Sequence, residues 1–258
     1  MMRLSGQILL AAVLVFLIGP FVLICVAGLS AGETLAFPPQ GLSLRWVARV
    51  FEVESFRTTF AISITLGIGA TLLALLIGVP AAYALDRYNP PGAGLIRNIL
   101  STPIIVPGII VGLSLLRYLV IPMGIGILPA LFIGHTALLI PYAVRIVSGS
   151  LTNLRVDIEE AAVMLGASRM QAFFKVVMPN IRNGIMAAFI IGFITSFNQV
   201  PVSLFLTGPG VSTLPIDMMA YMEFNYDPSI AALSGLLALM SLAIVLLAEK
   251  LLGLSRYV

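Results

Sequence analysis

Charge is scarce in this chain, and the residues that build most active sites are scarcer. Only 10% of its 258 residues are Asp, Glu, Lys or Arg, against about 25% in ordinary soluble domains. Histidine occurs once, at His135, and cysteine once, at Cys25. A lone cysteine excludes an internal disulfide, and no His/Cys spacing suits a metal. Cys25 is read as a small apolar residue inside a helix. There is no H-E-x-x-H, no Ser/Lys constellation and no paired aspartates in an apolar stretch, so a membrane-embedded enzyme lacks its parts. There is also no Gly-x-x-x-x-Gly-Lys-Ser/Thr loop to cradle phosphates. The net charge of +3 is spread over short inter-helix loops rather than one basic face, which excludes a nucleic-acid binder.

What is abundant is apolar. Sixty per cent of the residues are hydrophobic, more than a single soluble core can hide, so part of the solvent must be lipid. A bilayer-spanning helix needs roughly 20 mostly apolar residues. Six stretches qualify: 8–29, 58–85, 99–120, 128–148, 184–206 and 229–250. They predict an all-α membrane protein with six transmembrane helices, and residues 1–258 read as a single transmembrane domain. Arg3 ahead of the first apolar run resembles a secretory leader. The run exceeds the usual h-region of about 7–15 residues and no A-x-A site follows it, so an uncleaved first span is expected.

Cytoplasmic loops hold the excess of Lys and Arg. With the N-terminus inside, Arg3, Arg87, Arg97, Arg145, Arg155, Arg169, Lys175, Arg182, Lys250 and Arg256 lie on the inner side, against Arg45, Arg49, Arg57 and Arg117 outside. Both termini are therefore expected to be cytoplasmic. The outer segment of about 30–57 contains Phe37-Pro38-Pro39-Gln40-Gly41, where prolines forbid a continuous helix. Leu44, Trp46, Val47, Val50 and Phe51 then recur at helical spacing and predict a short amphipathic helix at the outer interface, anchored by Trp46. Pro103, Pro107, Pro141 and Pro201 fall inside expected spans, which requires neighbouring helices or water to satisfy the freed carbonyls. Gly67, Gly69, Ala70, Ala74 and Gly78 allow close helix approach along the second span.

The most informative stretch lies on the expected inner side, within a loop of 149–183. Asp157, Glu159 and Glu160 suit the positive end of a helix dipole, and Glu160 to Leu165 reads as a short helix ended by Gly166 in the left-handed region. A second helix is predicted from Ser168, its N-cap, to Val177, with Pro179 stopping it before the next span. The product is a protruding helix–turn–helix elbow.

The spacing Glu160-Ala161-Ala162, Gly166, Val176, Met178-Pro179 resembles the E-A-A loop of permease subunits of binding-protein-dependent ABC importers. Val176 and Met178 depart mildly from that family's Ile and Leu. Phe37 to Trp46, Ser203 to Gly210 and Thr213-Leu214-Pro215 are most similar to the second permease of polyamine (spermidine/putrescine)-type importers. The resemblance implies an ABC type I importer permease domain in a bacterial inner membrane. Its partners would be two ATP-binding subunits, a second homologous permease, a periplasmic solute-binding protein and membrane lipid. The chain itself would bind no cofactor, since ATP and Mg belong to the partner subunit, and it would not be an enzyme. Asp157, Glu159, Glu160, Ala161, Ala162, Gly166, Arg169 and Pro179 would form the ATPase-coupling loop.

Polar residues in a span are costly and often functional. Thr195, Ser196, Asn198, Gln199 and Ser203 are candidates for the solute pathway, with interhelical hydrogen bonding to the partner permease as the even alternative. Similar polyamine permeases often carry an acidic pair where this chain has Asn198-Gln199, which argues for a less cationic solute: polyamine-like, or another small amine or amino-acid derivative. Asp217, Tyr221 and Glu223 are candidates for an outer gate or a binding-protein contact, against the reading, slightly preferred, of solvated loop charges; Asp227 and Tyr226 follow them. His135 is expected to be a packing histidine satisfied by a hydrogen bond, and Arg117 to snorkel to the headgroups. The competing class is a self-sufficient secondary transporter, which would need internal repeats and paired midplane charges; neither is evident.

Overall fold

The computed structural model describes residues 2–252, with side chains for 6–250. Every described element is a helix, because backbone polar groups in hydrocarbon must be satisfied within their own segment. Among the described residues the only strand-like pairings are the isolated bridges Ser30–Leu42 and Gly208–Val211. In chain order the helices are α1 (Met2–Gly28), α2 (Arg45–Glu52), α3 (Glu54–Arg87), α4 (Ala93–Ile105) and α5 (Gly108–Leu115). A π turn at Leu116–Val120 leads into α6 (Ile121–Met123), followed by α7 (Ile127–Thr152), α8 (Val156–Met164) and α9 (Arg169–Ala172). A second π turn, Phe173–Val177, joins α9 to α10 (Met178–Phe197), and α11 (Leu214–Phe224) and α12 (Ser229–Leu252) complete the chain.

Five of these helical stretches are long and apolar enough to cross a membrane, or six if a bent pair counts as one span. Four match the sequence expectation closely. The stretch expected as a straight span over 99–120 is instead the bent pair Ala93–Ile105 and Gly108–Met123, which meet at 91°. Pro107 sits at that corner as the N-cap of α5 and cannot continue a helix through the bend. The span expected over 184–206 is a longer helix, Arg169–Phe197, which starts earlier and stops at Asn198. Pro201 therefore lies beyond a helix end rather than inside one. Pro179 does not stop a helix, as the sequence suggested. It occupies the first turn of α10, directly after the π turn, whose last amide, on Met178, bonds back to the Phe173 carbonyl. The wider turn hands the ladder past the residue that has no N–H. Arg3 and Arg256, counted on the inner side, lie outside the residues whose side chains are described.

The chain divides into two compact units. The first comprises Met1–Thr59 and Asp217–Leu246. Here Gly28 sits against the backbone of Ala231 and Ala232, and Gly235 faces Cys25 at 3.5 Å from an added Cβ to Sγ. Small residues at both positions let α1 and α12 touch, and Cys25 is a packing residue there. The expected interfacial helix is α2. Trp46 Nε1 donates to the Gly32 carbonyl at 2.9 Å, and the Arg45 guanidinium lies 4.6 Å from the Trp46 ring centre.

The second unit comprises Phe60–Ile216 with Leu247–Val258. Its core joins α3, α7, the second π turn and α10 through Leu75, Val79, Tyr83, Ala143, Val147, Phe173, Val177 and Ile181. The small residues on α3 are packing positions: a Cβ on Gly69 would lie 2.6 Å from the Phe132 ring, and one on Gly78 would lie 2.7 Å from Ala143. A neighbouring cluster surrounds Val202. Cβ atoms on Gly108 and Gly134 would come within 3.3 Å and 2.9 Å of its side chain, and one on Gly112 would collide with its carbonyl oxygen.

Because the obstacle at Gly112 is backbone, Gly112→Leu is expected to destabilise the protein by about 1–3 kcal/mol or more. The check is a lowered melting temperature in detergent. Gly149→Ala, which meets nothing within 4 Å, is expected to leave the melting temperature unchanged or raise it.

Candidate functional site

The elbow is built from local rules. α8 begins at Val156, four residues before the expected start, with Asp157 and Glu159 in its first turn. It ends in a Schellman motif: the Gly166 N–H donates to Val163 O at 2.9 Å and the Ala167 N–H to Ala162 O at 3.1 Å. The motif needs a left-handed residue, which Gly166 supplies at φ +95°. Two residues later Ser168 opens the next helix with a capping box. Its Oγ accepts from the Gln171 N–H at 3.2 Å, and Gln171 Oε1 accepts from the Ser168 N–H at 2.9 Å. Two helix ends are thus satisfied across three residues, which makes the corner sharp and stiff.

The acidic residues of the elbow diverge. Glu160 is exposed, and so are Ala161 and Arg169, with Ala162 half-buried. Asp157 is exposed and paired with Arg155 at 2.5 Å. At the tip two large apolar side chains stand in solvent, Met164 at 87% and Leu165 at 90% exposure. Glu159 turns inward and is buried. Its Oε1 accepts from the Tyr83 hydroxyl, and its Oε2 lies 3.3 Å from Arg87 Nε, with both side chains only 8% exposed. That Nε–H is not aligned as a hydrogen bond, so the attraction is Coulombic. The other end of the guanidinium donates to the carbonyls of Leu154 at 2.9 Å and Leu151 at 3.4 Å, at the C-terminus of α7. Removing one member of so buried a pair leaves an uncompensated charge, at a cost of about 3–5 kcal/mol. Beside the pair is a cavity of about 270 Å³ lined by Tyr88, Glu160, Val163, Met164 and Arg169.

The polar residues expected in the fifth span are placed differently. Thr195, half-buried, and Ser196, buried, lie on the last turn of α10. Asn198, Gln199 and Ser203 lie beyond its end, in a stretch before α11 whose one helical element is the 3-10 turn Ser203–Phe205. Asn198, exposed, donates to the Ile194 carbonyl at 3.0 Å. His135 is fully buried and holds this stretch to α7: Nδ1 lies 2.8 Å from Ser196 Oγ and Nε2 3.0 Å from Ser203 Oγ. Ser203 gives its proton to the Gln199 carbonyl at 2.9 Å. Oγ of Ser203 therefore accepts from Nε2–H, and Nδ1 accepts from Ser196. Both ring nitrogens are satisfied, as expected of a packing histidine. Arg117 is exposed on the π turn of Leu116–Val120.

In the first unit, Asp217 Oδ2 lies 3.3 Å from Thr59 Oγ1, and the Tyr221 hydroxyl donates to Asp227 Oδ2 at 2.9 Å. Burial, then the hydrogen bond to Asp227, pushes the Tyr221 phenol above its usual pKa, so it remains a donor. Glu223 and Tyr226 are exposed. No cluster of three or more His, Cys, Asp or Glu side chains suited to a metal occurs among the described residues.

Sequence reasoning counted Arg87 only as a topology charge and did not single out Tyr83 or Tyr88. A basic residue at the end of an apolar helix, one turn after a tyrosine, is the available signal. Nothing in the sequence pairs positions 76 residues apart.

Residues 74–253 match the family described as binding-protein-dependent transport system inner membrane component. The chain is 27% identical to the putrescine transport system permease protein PotI of Escherichia coli (strain K12), over 86% of this chain and 81% of that protein. It is 28% identical to the spermidine/putrescine transport system permease protein PotC of the same strain, over 81% of this chain and 80% of that protein. In fold it is similar to a bacterial ABC transporter involved in the import of the acidic polysaccharide alginate. That match has a TM-score of 0.69 at 18% identity and covers 98% of this chain and 95% of the other.

Gly166→Ala forces a Cβ into the left-handed region at a cost of about 1–2 kcal/mol, and Ser168→Ala removes the cap at about 1 kcal/mol. Both are expected to speed amide hydrogen exchange over residues 163–171. Exchange in α7 should stay as in the wild type.

Proposed function

This chain belongs to the family of binding-protein-dependent transport system inner membrane components, and we propose that it forms half of the solute pathway of an ATP-driven importer in a bacterial inner membrane. Residues 1–258 serve as one permease domain with both termini cytoplasmic, and the other half of the pathway is a second, homologous permease. Two ATP-binding subunits hold ATP and Mg, and this chain carries no catalytic residue. A periplasmic binding protein delivers the solute.

The observation that carries this reading is the elbow. A corner stiffened by a Schellman motif and a capping box presents Glu160, Met164 and Leu165 outward. An apolar tip rimmed by charge suits insertion into a partner's cleft, where burial supplies the affinity. Residues 149–183 then act as the coupling loop, moved by the ATP-binding subunits as a rigid piece. Asp157, Ala161, Ala162, Arg169 and Pro179 shape that piece.

For the solute we favour a small amine or amino-acid derivative. The relatives' names point to polyamines, while Asn198-Gln199 supplies no carboxylate to meet a strongly cationic chain. Because the Ser196 hydroxyl is engaged with His135 and the Ser203 hydroxyl with His135 and the Gln199 carbonyl, the pathway role falls mainly to Thr195, Asn198 and Gln199. Exposed Glu223, with Asp217 and Tyr221, is assigned to the outer gate or the binding-protein contact.

Affinity purification of the chain from its native membrane is expected to recover an ATP-binding subunit and a second multi-span subunit in stoichiometric amounts. Recovery of this chain alone, folded and stable in several mild detergents, would move the assignment to a self-sufficient carrier. In the purified complex, Gly166→Trp is expected to keep ATP hydrolysis while abolishing uptake of radiolabelled small amines and amino acids. Normal uptake in that variant would sink the coupling role of the elbow.

A further inference from the structure

The elbow is joined through the chain to α7 and α10, yet its buried polar contacts run to a third helix. The end of α3 grips both arms. On the first arm, Glu159 receives the Tyr83 hydroxyl and faces Arg87 at 3.3 Å. On the second arm, Phe173 packs against the Tyr83 ring with centroids 4.6 Å apart, and the Arg169 guanidinium lies 5.7 Å from the Tyr88 ring centre. Arg87 also holds the Leu151 carbonyl in the last turn of α7 and the Leu154 carbonyl just beyond it. One guanidinium thus ties together the end of α3, the end of α7 and the first turn of α8.

This arrangement is costly unless it serves a purpose. Two opposite charges have been taken out of water at 8% side-chain exposure, where an apolar pair of similar volume would pack with no desolvation penalty. An apolar contact can slide, whereas the Tyr83–Glu159 hydrogen bond and the bonds from Arg87 to the Leu151 and Leu154 carbonyls are directional and fix one geometry. Glu160, the neighbour that belongs to the family's motif, remains exposed and free for a partner. The two adjacent carboxylates therefore face opposite tasks, one outward and one inward.

We infer that Glu159, Arg87 and Tyr83 form a latch that makes α3 move as one body with the elbow, so that a push on the elbow reaches the second span directly. They are positioning residues: they touch neither solute nor nucleotide, and they set which helix receives the motion. The inference rests on the importer reading given above. Without the latch, the elbow would swing on its covalent connections while α3 lagged behind.

The test uses the full complex with nitroxide labels at Met170, on the elbow's second arm and away from its tip, and at Leu76, both exposed. Their distance distribution is measured without nucleotide and with ATP trapped by vanadate. In the wild-type chain the distribution is expected to be narrow and the same in both states. In Glu159→Gln and in the milder Tyr83→Phe it is expected to broaden and to shift on trapping, while the complex still assembles and hydrolyses ATP. A purely stabilising role would lower the yield of complex without changing this distribution. If Tyr83→Phe and Glu159→Gln match the wild type in both states, or if the wild-type distance itself changes on trapping, the latch is overturned. A wild-type chain that recruits no ATP-binding subunit overturns the importer reading and the latch with it; recruitment with unaltered distances in the variants overturns the latch alone.

Discussion

A backbone amide with no water nearby must find a partner, and the stretch from Asn198 to Thr213 has only the 3-10 turn Ser203–Phe205 to provide one. This segment decides how the second unit is packed. Its non-helical turns are tolerable only where protein surrounds them, and Val202 is the point of greatest crowding. Three glycines, at positions 108, 112 and 134, clear the space it occupies. His135 supplies the polar counterpart, tying Ser196 at the end of α10 to Ser203 beyond it. The Ser63 hydroxyl accepts the Leu214 amide at 2.8 Å, where α11 begins. The apolar wedge and the two hydroxyl ties together let an irregular segment stand where only helices would otherwise survive.

At the elbow the logic is reversed, and regular structure is interrupted to make a corner. Gly166 ends one helix and Ser168 starts the next, and both ends are closed by local bonds that need no help from the rest of the chain. Such a corner keeps its shape when its surroundings move. What it lacks is an intrinsic orientation, since caps fix a turn but not its direction relative to other helices. The contacts of Glu159, Phe173 and Arg169 with the end of α3 provide that orientation. The exposed tip and the buried root are thus separate devices within fewer than twenty residues (roughly five helical turns).

Much of this was legible in the sequence, for identifiable reasons. Long apolar runs without charge locate membrane helices because the bilayer imposes a length. Gly166 and Ser168 were readable because a left-handed residue and a helix cap demand particular side chains. His135 was readable as a packing residue because a lone imidazole without partners at helical spacing has few other uses. The corner at Pro107 was not, because a proline within an apolar run can kink a span or break it, and only tertiary packing decides. The early end of α10 was missed because Phe197 to Leu206 is still apolar enough to prolong a span on composition. The inward turn of Glu159 was invisible because its partners, Tyr83 and Arg87, are distant in the chain, and adjacent glutamates look alike in a sequence.

The π turn at Phe173–Val177 has a consequence for how this helix's faces are counted. On a wheel drawn at 3.6 residues per turn, Ala172 and Val177 would stand about 140° apart. Both are fully buried, because the wide turn absorbs one residue and returns them to the same side. From Val177 the buried positions then continue through Ile181 and Ala188 at ordinary α spacing. In the helix from Arg169 to Phe197, buried Ala172 is therefore out of phase in sequence with the buried positions from Val177 onward. A chain one residue shorter across this turn could keep Ala172 and Val177 both inward only by running as plain α-helix, so the single extra residue works as a phase shifter between the elbow's second arm and the span it becomes.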